Sequence, residues 1–217
     1  MSSYFNQVLT REKTALIYVL DPMCSWCWAF SPIYQAVKAR FPELEHSLLL
    51  GGLAPDSDEP MPESQQQYIQ GIWRNIEQST GTQFNHDFWR ECQPRRSTYP
   101  ACRAVMVARE QSDELAGKML GAIQQAYYQQ AQNPSDLPTL QSCARQIGLS
   151  EQGFTERMQV LRDSSTLEDE VDFVQRLGVQ GFPTLILKKG MQWLALPIDY
   201  KDSARLISVI ESRLVSD

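Results

Sequence analysis

Apolar runs of strand character occur only towards the two ends of this 217-residue chain, while residues 63 to 161 carry helical periodicity alone. Thr14 to Leu20 (TALIYVL) is β-branched, aromatic and apolar, and it stops at Asp21-Pro22, which predicts a buried strand ending in a turn. From Ser25 to Arg40 the residues Trp28, Ile33, Val37 and Phe41 fall near helical spacing, and Phe41-Pro42 ends that helix. His46 to Leu53 is a second apolar run, leading into a loop with Pro55, Pro60 and Pro62. Strand, helix, strand predicts a βαβ unit with a right-handed crossover.

The middle of the chain reads as helices throughout. Tyr68, Ile72, Trp73 and Ile76 make one stripe, and Leu115, Met119, Ile123 and Tyr127 another. Thr98-Tyr99-Pro100 places a proline in a first turn. After Asn133-Pro134 a short helix from about Leu140 is expected to end at Gly148, with Ser150 starting the next. Beyond Leu161 the mixed pattern returns. Ser165-Thr166-Leu167-Glu168 fits a capping box, and Gly178 closes the helix that follows. Leu185 to Leu187, the turn signal Lys188-Lys189-Gly190 and Met191 to Leu196 predict a hairpin, and Asp202 to Leu214 a last helix. The expected class is α/β: a βαβ–αββα domain from residues 1–62 and 162–217, interrupted by an inserted all-helical domain at 63–161.

Composition narrows the function. With 26 acidic against 20 basic residues, the net charge of -6 argues against nucleic acid as the main partner. No apolar stretch is long enough to span a bilayer, so no membrane partner is expected. The start, Met1-Ser2-Ser3-Tyr4-Phe5, lacks the basic segment and cleavage site of a secretory leader, so a cytoplasmic location is expected. Five cysteines in such a chain point to thiol chemistry or to a metal rather than to a disulfide scaffold.

Cys24-Ser25-Trp26-Cys27 stands directly after a predicted strand, at the start of a predicted helix. A thiol there faces unsatisfied amide N–H groups and the positive end of the helix dipole, which favours its thiolate. The spacing lets Cys27 reach back one turn, so Cys24 is the candidate attacking thiol and Cys27 the buried thiol that resolves a mixed disulfide. Zinc is the competing reading, but it wants four ligands, and Cys92, Cys102 and Cys143 are scattered without a second pair. Two inert buried cysteines are the other. Far downstream, Phe182-Pro183 opens a strand and is a candidate cis peptide.

Strand, Cys-x-x-Cys, a helix that Pro32 should kink, strand, helix, Gly-Val-Gln-Gly-Phe-Pro-Thr, hairpin and helix together resemble the thioredoxin superfamily. The helical insertion resembles its DsbA-like family, and Asp-Pro-Met-Cys-Ser-Trp-Cys-Trp is similar to the FrnE-like branch. The resemblance implies a thiol–disulfide oxidoreductase (protein disulfide oxidoreductase or isomerase-like) with Cys24 as nucleophile, Cys27 as resolving thiol and Pro183 as the cis-proline facing them. The backbone of Phe182 would pair with an extended substrate; from the residues themselves, Trp26 and Trp28 read as an apolar docking surface, with core packing at least an equal reading of Trp28. No bound cofactor is implied beyond the redox-active Cys24–Cys27 pair, with glutathione an open co-substrate. Partners would be thiol- or disulfide-containing proteins or small molecules. Where periplasmic oxidants of the family have histidine between the cysteines, this chain has Ser25-Trp26, so a strongly oxidising character is not implied.

Two other functions stay open: a glutathione-dependent isomerase or transferase of the kappa and hydroxychromene carboxylate isomerase type, whose members usually carry serine at the attacking position, and a non-catalytic peptide-binding adaptor. Asp21 reads as a turn-capping residue or as a proton shuttle for Cys27. His46 and His86 read as structural or solvated. Cys92, Cys102 and Cys143 read as small buried hydrophobes, with a Cys92–Cys102 pair as the alternative. Direction of electron flow and oligomeric state are not encoded in any motif.

Overall fold

The computed structural model describes residues 4–10 and 12–215. The reading of Met1 to Ser3 as the start of a leaderless chain lies outside the described residues, as do the outer ends, 1 and 217, of the two-part domain. In chain order the elements are α1 (Tyr4–Thr10), β1 (Ala15–Leu20), α2 (Ser25–Arg40), β2 (Glu45–Leu50), α3 (Glu63–Thr80), α4 (Phe88–Glu91), α5 (Tyr99–Arg109), α6 (Asp113–Tyr128), α7 (Leu137–Gln146), α8 (Glu151–Arg162), α9 (Thr166–Arg176), β3 (Thr184–Lys189), β4 (Gln192–Leu196) and α10 (Ser203–Val215).

The four strands form one sheet in the order β2-β1-β3-β4. β1 runs parallel to β2, with Leu20 opposite Leu50, and antiparallel to β3, with Val19 opposite Thr184. Every residue of β1 is buried, which explains why its sequence is a continuous apolar run rather than an alternating one. Alternate side chains serve two cores. Leu16, Tyr18 and Leu20 join Phe30 and Ile33 of α2, Leu206 and Ile210 of α10 and much of α5 and α6. Ile17 and Val19 point the other way, onto Val8 of α1 and Phe173 and Val174 of α9. Each such side chain contributes about 1.5–3 kcal/mol on burial, and a one-residue slip of β1 would exchange the two sets. A third cluster, around Trp73, Phe88, Tyr127 and Tyr128, joins α3, α4 and α6 to Ala29 of α2.

β2 is an edge strand, and its free backbone groups are answered by a buried ion pair. Arg109 donates to the Leu48 carbonyl (2.9 Å) and to Glu170, and the Leu50 amide donates to the same carboxylate (2.8 Å). Both side chains are almost fully buried, so each charge depends on the other. The pair ties α5 and α9 to the end of β2, beside which the candidate site lies.

Several local expectations are corrected. α1 and the single turn α4 carry no clear period in the sequence. α7 starts at Leu137, with Pro138 in its first turn, rather than at Leu140. The run after His46 leaves the sheet at Leu50, because Gly52 adopts a positive φ of 60° and turns the chain away. The capping box at Ser165 does not form. Its backbone is already near helical (φ -84°, ψ 10°), and its hydroxyl donates to Asp169 (3.1 Å) instead of accepting from Glu168. Ser150 does cap α8, accepting from the Gly153 amide.

Candidate functional site

β1 delivers the chain to a turn that presents two cysteines. The Cys24 amide donates to the Asp21 carbonyl (3.0 Å), and the Met23 amide donates to Asp21 Oδ1 (2.8 Å), closing the turn. Cys24 is the N-cap of α2, in extended conformation, and its side chain makes no capping bond to the first-turn amides. α2 then runs through Pro32 to Arg40 without interruption. Cys24 is 8% exposed and Cys27 fully buried beneath it. The two sulfurs are unbonded and within hydrogen-bonding reach of each other. Burial pushes the Cys27 thiol well above its ordinary value, and the hydrogen bond to Cys24 and the proximity of its charge add to this.

The chain returns to this place 158 residues later. Cys24 Sγ donates to the Phe182 carbonyl (3.6 Å), and the Phe182–Pro183 peptide is cis, with Pro183 buried. Phe182 lays the tip of its ring on Gly51, where an added Cβ would stand 1.9 Å from it. The absence of a side chain at Gly51, at the exit of β2, leaves room for the Phe182 ring in this seat. Trp26 is half-buried, packs on Tyr200 (ring centroids 4.9 Å apart), and lines a cavity of about 520 Å³ together with Cys24 and Phe182. Cys24, Cys27, Trp26, Phe182 and Pro183 are thus brought to one place.

Asp21 does more than close a turn. It is fully buried, and its Oδ2 accepts from the Leu53 amide (2.8 Å), the Thr98 hydroxyl (2.6 Å) and the Cys102 thiol (3.6 Å). Burial raises its pKa against the opposing pull of these bonds. Leu53, Thr98 and Cys102 join the site through Asp21, and Gly51, Arg95 and Arg96 through the cavity, from positions whose local sequence carries no signal of it. Other candidates lie elsewhere. Trp28 stacks on Tyr128 and donates to the Gln83 carbonyl (3.1 Å), so it belongs to the helical core. Cys92 donates to the Ala131 carbonyl (3.0 Å) while Cys102 engages Asp21, so the two thiols have separate partners. His46 contacts the Phe41 carbonyl (2.9 Å), with its pKa lowered by burial, and His86 contacts Glu77 (3.1 Å). Among the described residues no cluster of three or more His, Cys, Asp or Glu is arranged to hold a metal ion, and no helix is long and apolar enough to cross a membrane.

A parallel strand pair joined through a helix, an antiparallel hairpin, a Cys-x-x-Cys at the helix start and a cis-proline opposite it define a DsbA-like protein of the thioredoxin fold. The chain belongs to the DSBA-like thioredoxin domain family, which it matches over residues 15–202. Among solved structures it resembles a "putative protein disulfide isomerase" from Nitrosomonas europaea, at 25% identity and a TM-score of 0.80 over 94% of this chain and 98% of that one. It also resembles the cytosolic disulfide reductase DsbM from Pseudomonas aeruginosa, at 27% identity and a TM-score of 0.74 over 92% and 98% of the two chains, a protein also solved with GSH. The ClpXP adapter protein SpxH of Halalkalibacterium halodurans is 23% identical over 83% of this chain, which spans 61% of the length of that relative.

Proposed function

We propose that this protein is a cytoplasmic thiol–disulfide oxidoreductase that reduces disulfides at the expense of glutathione. The observation that carries the reading is the Cys24 sulfur, at the N-cap of α2, lying against the Phe182 carbonyl beside cis-Pro183 with Cys27 one turn below. In the first step the Cys24 thiolate attacks a substrate disulfide, forming a Cys24–substrate mixed disulfide and expelling one substrate thiolate. Cys27 then loses its proton and attacks Cys24, forming the Cys24–Cys27 disulfide and releasing the second substrate thiol. Two glutathione thiols reduce that disulfide, yielding oxidised glutathione, so two electrons pass in each half. Asp21, buried and with a raised pKa, is the group suited to take the Cys27 proton. Phe182 pairs through its backbone with an extended substrate, and Trp26 supplies an apolar wall.

The direction of electron flow and the cytoplasmic setting are supported by the likeness to DsbM, named a cytosolic disulfide reductase and solved with GSH. The absence of a cationic residue between the cysteines agrees with a reductant. The test is trapping: Cys27→Ala incubated with glutathione disulfide or cell extract accumulates covalent adducts on Cys24, and Cys24→Ala does not. Equal adduct levels in the two variants overturn the two-step scheme. A second reading, a protein-binding adaptor, is favoured by the likeness to a ClpXP adapter, and it requires partner binding that survives Cys24→Ser.

A further inference from the structure

We propose that Arg96 is the carboxylate anchor of the thiol co-substrate, selecting an anionic thiol of the glutathione class over neutral ones. The inference rests on the glutathione reading above and assigns it a residue. The cavity in front of Cys24, at about 520 Å³, falls within the roughly 300–1,000 Å³ of small-molecule sites. Although the chain carries a net charge of -6, the charged side chains lining this cavity are two arginines, Arg95 and Arg96, with no acidic residue among them.

The two arginines are not equivalent. Arg95 is engaged: it donates to the Ser135 carbonyl (2.9 Å) and to the Asp136 carboxylate. Arg96 is exposed, and among the described residues it has no hydrogen bond and no carboxylate partner. Its charge is felt by the phenol of Tyr127, which lines the same cavity. An unpaired guanidinium offers a planar fork of donors that fits a carboxylate through two parallel bonds, in a way that a point charge does not.

The backbone under Arg96 is held at both sides. Arg95 forms a β-bridge with Pro60. The Ser97 carbonyl accepts from Ser135 (2.7 Å), and the Thr98 hydroxyl donates to Asp21 (2.6 Å). Asp21 in turn holds the Met23 amide of the cysteine turn. The backbone of Arg96 and that of Cys24 are therefore mounted on one bonded frame, which sets a guanidinium and a reactive sulfur on the walls of one cavity. Glutathione has the matching chemistry: a central thiol with a carboxylate towards each end.

The experiment compares kcat/KM for glutathione and for glutathione diethyl ester, which has the same thiol but neither free carboxylate, in reduction of one disulfide substrate. The wild-type protein should prefer glutathione. Arg96→Ala should lower that preference about tenfold or more, the loss expected for a charge-assisted hydrogen-bond pair, while Arg96→Lys should recover part of it and Arg96→Glu should lower it further. A wild-type preference left intact by Arg96→Ala overturns the role of Arg96 and leaves the glutathione reading standing. A wild-type protein that uses both thiols equally overturns the carboxylate anchor alone, and one that turns over with neither overturns the glutathione reading itself. If Arg96→Ala instead weakens reaction with acidic protein substrates and leaves the preference for glutathione intact, the arginine serves the protein substrate and the proposal falls.

Discussion

The sulfur of Cys24 stands 3.6 Å from the carbonyl oxygen of Phe182, a residue 158 positions further along the chain. The contact joins the N-cap of α2 to the loop that opens β3. It exists because β1 and β3 are adjacent antiparallel strands, which bring the end of one beside the start of the other. Everything proposed for the site depends on that adjacency, and on the residues that hold either side of it.

Cys27 is fully buried, and its thiol is held well above its ordinary pKa. In the folded protein iodoacetamide at pH 7–9 should therefore modify Cys24 and spare Cys27, as read by peptide mass spectrometry. The linked stability has a definite sign. A thiol whose folded pKa is raised keeps its proton longer in the folded state, so its contribution is intact below the unfolded value of about 8.5 and is lost as pH rises through the folded one. The urea midpoint should fall as pH rises above about 8.5, and by less in Cys27→Ser; Cys102, also raised by burial, accounts for part of the remainder. Preferential alkylation of Cys27 would reverse the assignment of attacking and resolving thiols.

Asp21→Asn tests the proton acceptor. Release of glutathione from a Cys24 mixed disulfide should slow by about 10²-fold near neutral pH, with the deficit shrinking at higher pH as Cys27 ionises unaided. A raised folded pKa at Asp21 also means that its stabilising contribution is present at low pH and is lost as pH rises through that value. The variant should remove this dependence from a pH series of thermal unfolding. A pH–rate profile parallel to that of the wild type would leave Asp21 a turn residue and nothing more.

Gly51→Ala tests the seat of Phe182. The new Cβ would stand 1.9 Å from the tip of the ring, far inside contact distance, so the ring must leave its present seat. We expect a stability loss of about 1–3 kcal/mol. Turnover should fall by about tenfold or more, since small displacements at a reacting centre are costly. Phe182→Ala in the same chain removes the clash and should restore stability in part. If Gly51→Ala alone turns over at the wild-type rate, the seat of the Phe182 ring does not govern the reaction.

Much of the frame was legible in the residues because it follows from local rules. The unbroken apolar run of β1 implied burial on both faces, which the two cores around Tyr18 and Val19 supply. Gly178 and Gly190 marked a helix end and a hairpin, and both take positive φ. Cys24 and Cys27 declared themselves by spacing and position, and Phe182-Pro183 by its place before a strand. α1 escaped because seven residues with Val8 as their buried anchor are too short to show a period. The capping box at Ser165 failed because a sequence pattern does not specify the backbone angles on which a cap depends.

What only the tertiary structure decided is the company kept by the cysteines. Asp21 binds Thr98 and Cys102, 77 and 81 residues away; Gly51 takes the ring of Phe182; Arg96 reaches the cavity of Cys24 from the segment before α5. None of these residues departs from what its own segment needs, so none signals its partner. Side-chain period records whether a residue is buried, whereas its partner is set by how helices and strands distant in sequence pack against one another. The sequence alone determined that two thiols would meet at a helix start; the packing of α5 and the two strand ends around them decided what chemistry they can do.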